Sequence, residues 1–245
     1  MDSIRYDRPP AAATGAGGEV EGGWCDGGKV VSYPLTTTLN RIYSQRPCVD
    51  GWRRGLTALG KTQADDDPLT FLELADKIKP LCHMFWCLKS APEYDNHWRQ
   101  FTVWCVRQVQ DQLTDPRSLQ ALDVAQRYAG GMVSLADLVA AWVATEDAVE
   151  AVNNAAYAAV PVQGRLNRQQ RVEIEATEAV LNTISPAAWR GVAAAFKAVA
   201  RVKSIQVGVW GTPEWSSAYN ATEGVLLRGF RQLVTDGTLP DLPGM

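Results

Sequence analysis

A chain of 245 residues with 24 Lys and Arg against 27 Asp and Glu has a formal net charge of -3. That balance excludes the basic field a nucleic-acid binder relies on and argues against the carboxylate array of a DNA mimic. The 46% hydrophobic content supports a substantial core, and no apolar run approaches the roughly 20 residues that span a bilayer.

Along the chain, residues 1–33 are expected to form a flexible leader, since 11–28 are rich in Gly and Ala and have little to bury. KVVSY at 29–33 could make one short strand without an obvious partner. Residues 34–245 are expected to fold as one helical domain. A short helix runs from about Thr38 to Gln45. Pro47 and Cys48 open CVDGWRRGLTALG, ended by Gly60 as a C-terminal glycine. Asp67 and Pro68 read as a cap and first-turn proline for LTFLELADKI. Pro80 opens a helix with Leu81, Met84, Phe85 and Leu88 on one face. Cys82, Trp86 and Cys87 lie off that face, so this helix is apolar nearly all round and is expected near the centre.

Pro92 and Glu93 begin the next helix, with Trp98, Phe101, Cys105 and Val109 in one stripe that Trp104 widens. Asp115 and Pro116 cap another, which ends at Gly130 and Gly131. Ser134 caps a long helix with Leu135, Leu138, Val139, Trp142, Val149, Val152 and Ala156 along one face, broken by Pro161 and Gly164. Asn167 caps the segment 169–184. Ser185 and Pro186 start AAWRGVAAAFKAVARV. Thr212 and Pro213 start the last helix, in which Trp215, Tyr219, Leu226, Phe230 and Leu233 share a face; LPDLPGM cannot continue it. The pattern describes an all-α protein of about nine helices, an irregular bundle or an α-solenoid-like stack, with at most one strand. AAWVA and AAWRGVAAA hint at a degenerate repeat, although Ala-rich helices resemble one another by composition alone.

No phosphate loop, dinucleotide-binding glycine motif, zinc-protease motif or nucleophile elbow occurs. The five cysteines, with an odd number and mostly apolar settings, fit free thiols in a reducing cytoplasm better than a secreted disulfide scaffold. MDSIRYDRPP has no signal-peptide core. Cys82 and Cys87, with His83 between and His97 beyond, lack zinc-like spacing. A Cys–His nucleophile would need an electropositive, partly exposed site, whereas these residues sit among Phe85, Trp86, Val103 and Trp104. No catalytic residue, metal site or cofactor is therefore assigned.

Contact surfaces are the remaining candidates. Asp65, Asp66 and Asp67 form an acidic run that could face a basic partner, or simply a solvated loop before a helix. Arg53, Arg54 and Lys61, with Arg41 and Arg46 nearby, could meet an acidic partner or pair with those aspartates. Arg165, Arg168 and Arg171 are followed closely by Glu173, Glu175 and Glu178, so the field there is mixed. Of the nine tryptophans, Trp24 and Trp210 fall outside the helical stripes. Tryptophan on a connector suits a protein-contact anchor; the plainer account has Trp210 plug the end of a helix pair.

RPCVDGW (46–52), LGKT (59–62), DDDPL (65–69), FWCL (85–88), RQFTVWCVRQVQ (99–110), DPRS (115–118) and ALDVAQRYAGG (121–131) together resemble a group of bacteriophage- and prophage-encoded proteins of unknown function. The resemblance spans roughly residues 38–145, with 34–131 as the family-like block and 132–245 as an Ala-rich helical extension. The block is also distantly similar to the helical domain of bacterial immunity proteins, which neutralise a toxin by binding it. The resemblance implies a phage origin and an accessory role inside a bacterial cell, and it supplies no catalytic residues. The expectation is a non-enzymatic protein that binds a bacterial protein or ribonucleoprotein defence complex and inhibits it, in the manner of an anti-CRISPR protein. It would act in the host cytoplasm, without direct nucleic-acid or membrane binding, and a homo-oligomer is compatible with this. The alternatives are a toxin-neutralising immunity protein, an enzyme with an unrecognised site and a virion assembly protein.

Overall fold

The computed structural model describes residues 25–26, 29–79, 81–160, 164–185 and 187–242. Most of the expected leader lies outside them, as do Trp24, Pro80, Pro161 and Pro186. The chain divides into two units, Met1–Val31 and Ser32–Met245.

In the first unit, β1 (Cys25–Asp26) and β2 (Lys29–Val30) pair antiparallel, with Cys25 opposite Val30. The strand expected at 29–33 is confined to Lys29–Val30 and has a partner in β1.

In the second unit, β3 (Thr36–Thr37) pairs antiparallel with β4 (Leu69–Thr70). With four two-residue strands among the described residues, the expectation of at most one is corrected. This pairing also moves a helix start. α3 (Phe71–Lys77) begins after Thr70, whose Oγ1 accepts from the Glu73 N–H at 3.0 Å. Asp67 is not its cap, because Leu69 and Thr70 are engaged in the ladder and the helix begins only beyond them. Thr70 and Glu73 have the spacing of a capping box.

Ten α-helices lie among the described residues. α1 (Leu39–Ser44) is capped by Thr38, and α2 (Val49–Leu59) ends on Gly60 in the left-handed conformation, φ 69°. α4 (Leu81–Cys87) follows α3. A 3-10 turn at Pro92–Tyr94 leads into α5 (Asp95–Arg107), so the prolines open the turn and the helix proper starts at Asp95. α6 (Pro116–Ala129) has Asp115 as its cap, as expected. α7 (Leu135–Ala158) and α8 (Arg168–Thr183) each carry a full capping box, Ser134 with Asp137 and Asn167 with Gln170. α9 (Ala188–Val207) and α10 (Pro213–Asp236) complete the bundle, and Thr212 caps α10.

Consecutive helices from α5 to α10 pack side by side, and beyond these α5 touches α8, α9 and α10 while α6 touches α8. Those extra contacts close the stack. An open solenoid has only nearest-neighbour contacts, so this is a multi-helix bundle. Its centre is α9 against α5, α8 and α10. Helix α4 lies against α9, where Phe85 meets Phe196 with ring centroids 5.1 Å apart, and Met84 is fully buried beside it in the helix.

Small residues on α9 make that centrality feasible. Gly191 approaches α8 so closely that a Cβ there would collide with the Asn182 carbonyl. On α10, a Cβ at Gly229 would strike the indole of Trp104. Around these contacts Phe71, Phe85, Trp98, Phe101, Phe196 and Phe230 form a buried aromatic cluster. Trp98 stacks on Phe230 with ring centroids 6.1 Å apart, and Phe71 meets Trp98 edge-on at 5.1 Å. Trp104 Nε1–H donates to the Pro240 carbonyl at 2.8 Å, which ties down the chain beyond α10.

The stripe expected on α7 is only partly right. Leu138, Val152 and Ala156 are buried, but Leu135 is 40% exposed and Val139, Trp142 and Val149 are half-buried. Thr145 and Ala148 are buried instead. α7 packs on both α6 and α8, and those neighbours select a row of small residues over the bulkiest ones.

Candidate partner-binding surface

The connector between α9 and α10 is a tight turn. The Gly208 N–H donates to the Ser204 carbonyl at 3.0 Å, the Thr212 N–H donates to Val209 at 3.0 Å, and Gly211 takes φ 84°. Thr212 Oγ1 accepts from the Trp215 N–H at 3.3 Å and fixes the start of α10. Held on this turn, Trp210 is 69% exposed. It does not plug a helix pair. Its ring lies 4.7 Å from Trp215, which stacks on Tyr219 at 5.1 Å. Three aromatics thus form a platform whose outermost ring faces solvent.

Beside Trp210 and Trp215 is a cleft of about 360 Å³, with Tyr157, Leu166, Ile174 and Ile205 in its lining. Tyr157, Val207 and Val209 are also well exposed, so the apolar surface extends beyond Trp210. Its charges are partly internal. Arg201 pairs with Glu175 at 3.4 Å, and Arg168 Nη1 donates to the Gln206 carbonyl at the end of α9 at 3.3 Å. Arg171 lines the cleft. The arginine group expected to be mixed in sign is therefore tied into α8 and α9 through Arg168 and Glu175.

The acidic and basic candidates near α2 have a different geometry. Lys61 Nζ donates to Asp65 at 2.6 Å and Asp67 at 2.8 Å. The Asp65 carboxylate first, then that of Asp67, hold its ammonium above the ordinary lysine range. Asp66 accepts from Thr38 Oγ1 at 3.4 Å, and the Asp65 carbonyl accepts from the Asn40 N–H at 3.0 Å. The run folds its loop back onto the start of α1 and neutralises Lys61, which is the plain reading of those residues. Arg41 is paired with Glu93 at 2.6 Å. Arg53 and Arg54 are exposed on α2. Trp24 lies outside the described residues. No hydrogen bond, ion pair or ring contact among the described residues joins this group to Trp210.

Cys87, Cys105 and His97 are buried, packed groups, whereas Cys48 is exposed and His83 half-buried. Burial pushes the Cys87 thiol up to about 12 and raises Cys105 as well. Cys87 Sγ donates to the His83 carbonyl at 3.4 Å. His97 Nε2 and the Tyr33 hydroxyl are 2.7 Å apart. Among the described residues no group of three or more His, Cys, Asp and Glu could hold a metal ion, and no helix is long and apolar enough to cross a membrane.

Trp215 and Tyr219 fit the core stripe expected of the last helix, and no stripe or charge run in the sequence singles out Tyr157, Val207 or Val209. The available signal was the apolar run VGVW on a connector, where nothing demands burial. Fold and surface together define an all-α bundle with an exposed aromatic platform at one interhelical turn. Comparison with protein-family models, curated proteins and solved structures found no match.

Proposed function

We propose that this chain is a non-enzymatic protein-binding module and that the Trp210 platform is its contact surface. The observation that carries the reading is the 69% exposure of Trp210 on a turn closed by the Gly208 and Thr212 hydrogen bonds, with its ring against Trp215. A rigid aromatic loses little entropy on docking, and interface hot spots are enriched in tryptophan. The neighbouring exposed Tyr157, Val207 and Val209 extend the apolar area that a partner would cover.

In its finer form, the partner is a bacterial protein or ribonucleoprotein defence complex, and the chain is a phage accessory protein that inhibits it in the host cytoplasm. The resemblance of residues 38–145 to phage-encoded proteins supports that form. The test is expression of the tagged chain in bacteria with an active CRISPR system, followed by affinity purification and phage plaquing. Co-purification of a defence effector and restored plaquing, both lost in Trp210→Ala at equal yield, are expected. Recovery of the chain alone with plaquing unchanged would reject the defence-inhibitor reading. Effector binding undiminished in Trp210→Ala would reject the platform as its surface.

A further inference from the structure

Helix α2 does not pack like the others. None of its residues is fully buried, and beneath it lies a cavity of about 260 Å³. The walls include Leu39 and Ile42 from α1, Ile78 beyond α3, Trp86 from α4, and Trp52 and Leu59 from α2 itself. The roof is a single helical face, since Cys48, Gly51, Trp52, Gly55 and Leu59 recur at i, i+3, i+4, i+7 and i+11. Two of those positions are glycine, and a Cβ built on Gly55 would meet no atom within 4 Å. Where α8 and α9 use a glycine to bring two backbones together, α2 uses Gly55 to leave a space.

The cavity carries one sign of charge. No Asp or Glu lines it, while Arg46 does. Arg46 is exposed at the cavity's edge and, like several other arginines and unlike Arg41, Arg107, Arg117, Arg201 and Arg231, holds no carboxylate among the described residues. Arg46 also has φ 57°, a left-handed conformation that arginine rarely adopts. Such strain concentrates at ligand sites. The thiol of Cys87 lines the wall as a protonated, apolar group.

We propose that this cavity binds a small apolar acid, an aromatic carboxylate of about two fused rings, with its rings against the apolar walls and its carboxylate on Arg46. Size sets the ring count. An apolar cavity of about 150 Å³ accepts benzene, and this one is larger. Charge sets the acid, because a guanidinium binds a planar carboxylate through two parallel hydrogen bonds. The site shares no residue with the Trp210 cleft, and its ligand reading stands apart from the proposed function.

The test is calorimetric titration of the full chain with 2-naphthoate and with its uncharged counterpart 2-naphthalenemethanol. One equivalent of naphthoate is expected to bind, with the alcohol about tenfold weaker. Gly55→Leu fills the cavity and abolishes naphthoate binding without lowering the thermal unfolding midpoint. Arg46→Gly keeps the backbone conformation and removes the preference for the acid while the alcohol still binds. No binding to the wild-type chain, equal affinity for acid and alcohol, or undiminished binding by folded Gly55→Leu overturns the proposal. If Gly55→Leu does not fold, Arg46→Gly decides: an acid preference that survives it overturns the proposal.

Discussion

Arg99 Nη1 donates to the main-chain carbonyl of Thr183 at 3.0 Å, across 84 residues of sequence. The same nitrogen donates to the Ser185 carbonyl at 3.0 Å. Arg99 is 1% exposed, and its guanidinium lies 5.2 Å from the ring of Tyr128. A charged side chain of α5 thus satisfies carbonyls at the C-terminal end of α8, where the helix leaves acceptors unpaired and its dipole favours a cation. The arrangement fixes the turn into α9, the most central helix.

Arg99→Met keeps much of the side-chain length and removes the donors. It is expected to cost about 2–3 kcal/mol, the range for losing hydrogen bonds from a charged group to buried acceptors. Urea denaturation measures it. Arg99→Lys restores the charge with a single donor head, so it recovers part of the loss. A wild-type midpoint for Arg99→Met would show that water caps α8 equally well.

Two glycines should respond in opposite directions. Gly191→Ala drives a Cβ into the Asn182 main chain, which cannot rotate away. An overpacking cost of about 1–3 kcal/mol is expected. Gly55→Ala enters open space on a helix, and is expected to add about 0.5–1 kcal/mol by the loss of unfolded-state freedom. Thermal unfolding of both variants checks the pair. A loss at Gly55 would mean that α2 lies closer to α1 and α4 than the cavity allows.

The helices were legible wherever punctuation and stripe agreed. Asp115, Ser134, Asn167 and Thr212 are caps both in the sequence pattern and in the structure. Misreadings arose where a long-range contact decided. Thr70 replaced Asp67 as a cap because Leu69 pairs with Thr37, 32 residues earlier in the register; no local pattern encodes that pairing. On α7 the Ala-rich sequence offered several stripes of similar hydrophobicity, and packing against two neighbours selected one. Exposure of Trp210 was legible only as a departure from every stripe. Its platform was hidden, because Trp215 and Tyr219 also satisfy a core pattern. The cavity under α2 was hidden for a further reason, since a missing side chain has no periodicity to detect.

The thiols should separate by burial. Cys48 is exposed, while Cys87 and Cys105 are buried with raised thiol pKa. Alkylation needs the thiolate. In the folded chain near neutral pH, iodoacetamide is expected to modify Cys48 and leave Cys87 and Cys105 intact; peptide mapping by mass spectrometry reads the sites. In urea all three should react. Rapid native alkylation of Cys105 would mean that α5 opens on the timescale of labelling.

His97 makes stability depend on pH. It is 5% exposed, and burial lowers its pKa below the ordinary 6.5. The sign follows from proton uptake. Below about pH 6.5 the unfolded chain binds a proton on this imidazole that the folded chain resists, so acid favours unfolding. The contribution is complete above the unfolded value and is lost as pH falls through the lower, folded value. Protonation also changes the contact with Tyr33, 2.7 Å away, because a charged imidazole can only donate to that hydroxyl. Urea midpoints of the wild-type chain and of His97→Gln, taken from pH 8 to pH 5, isolate the effect, since His83 and the carboxylates are common to both. The wild-type chain is expected to lose stability more steeply below pH 6.5 than the variant, whatever their difference at pH 8. Parallel curves would show that His97 takes up its proton equally in both states and that the fold is open to water at this position.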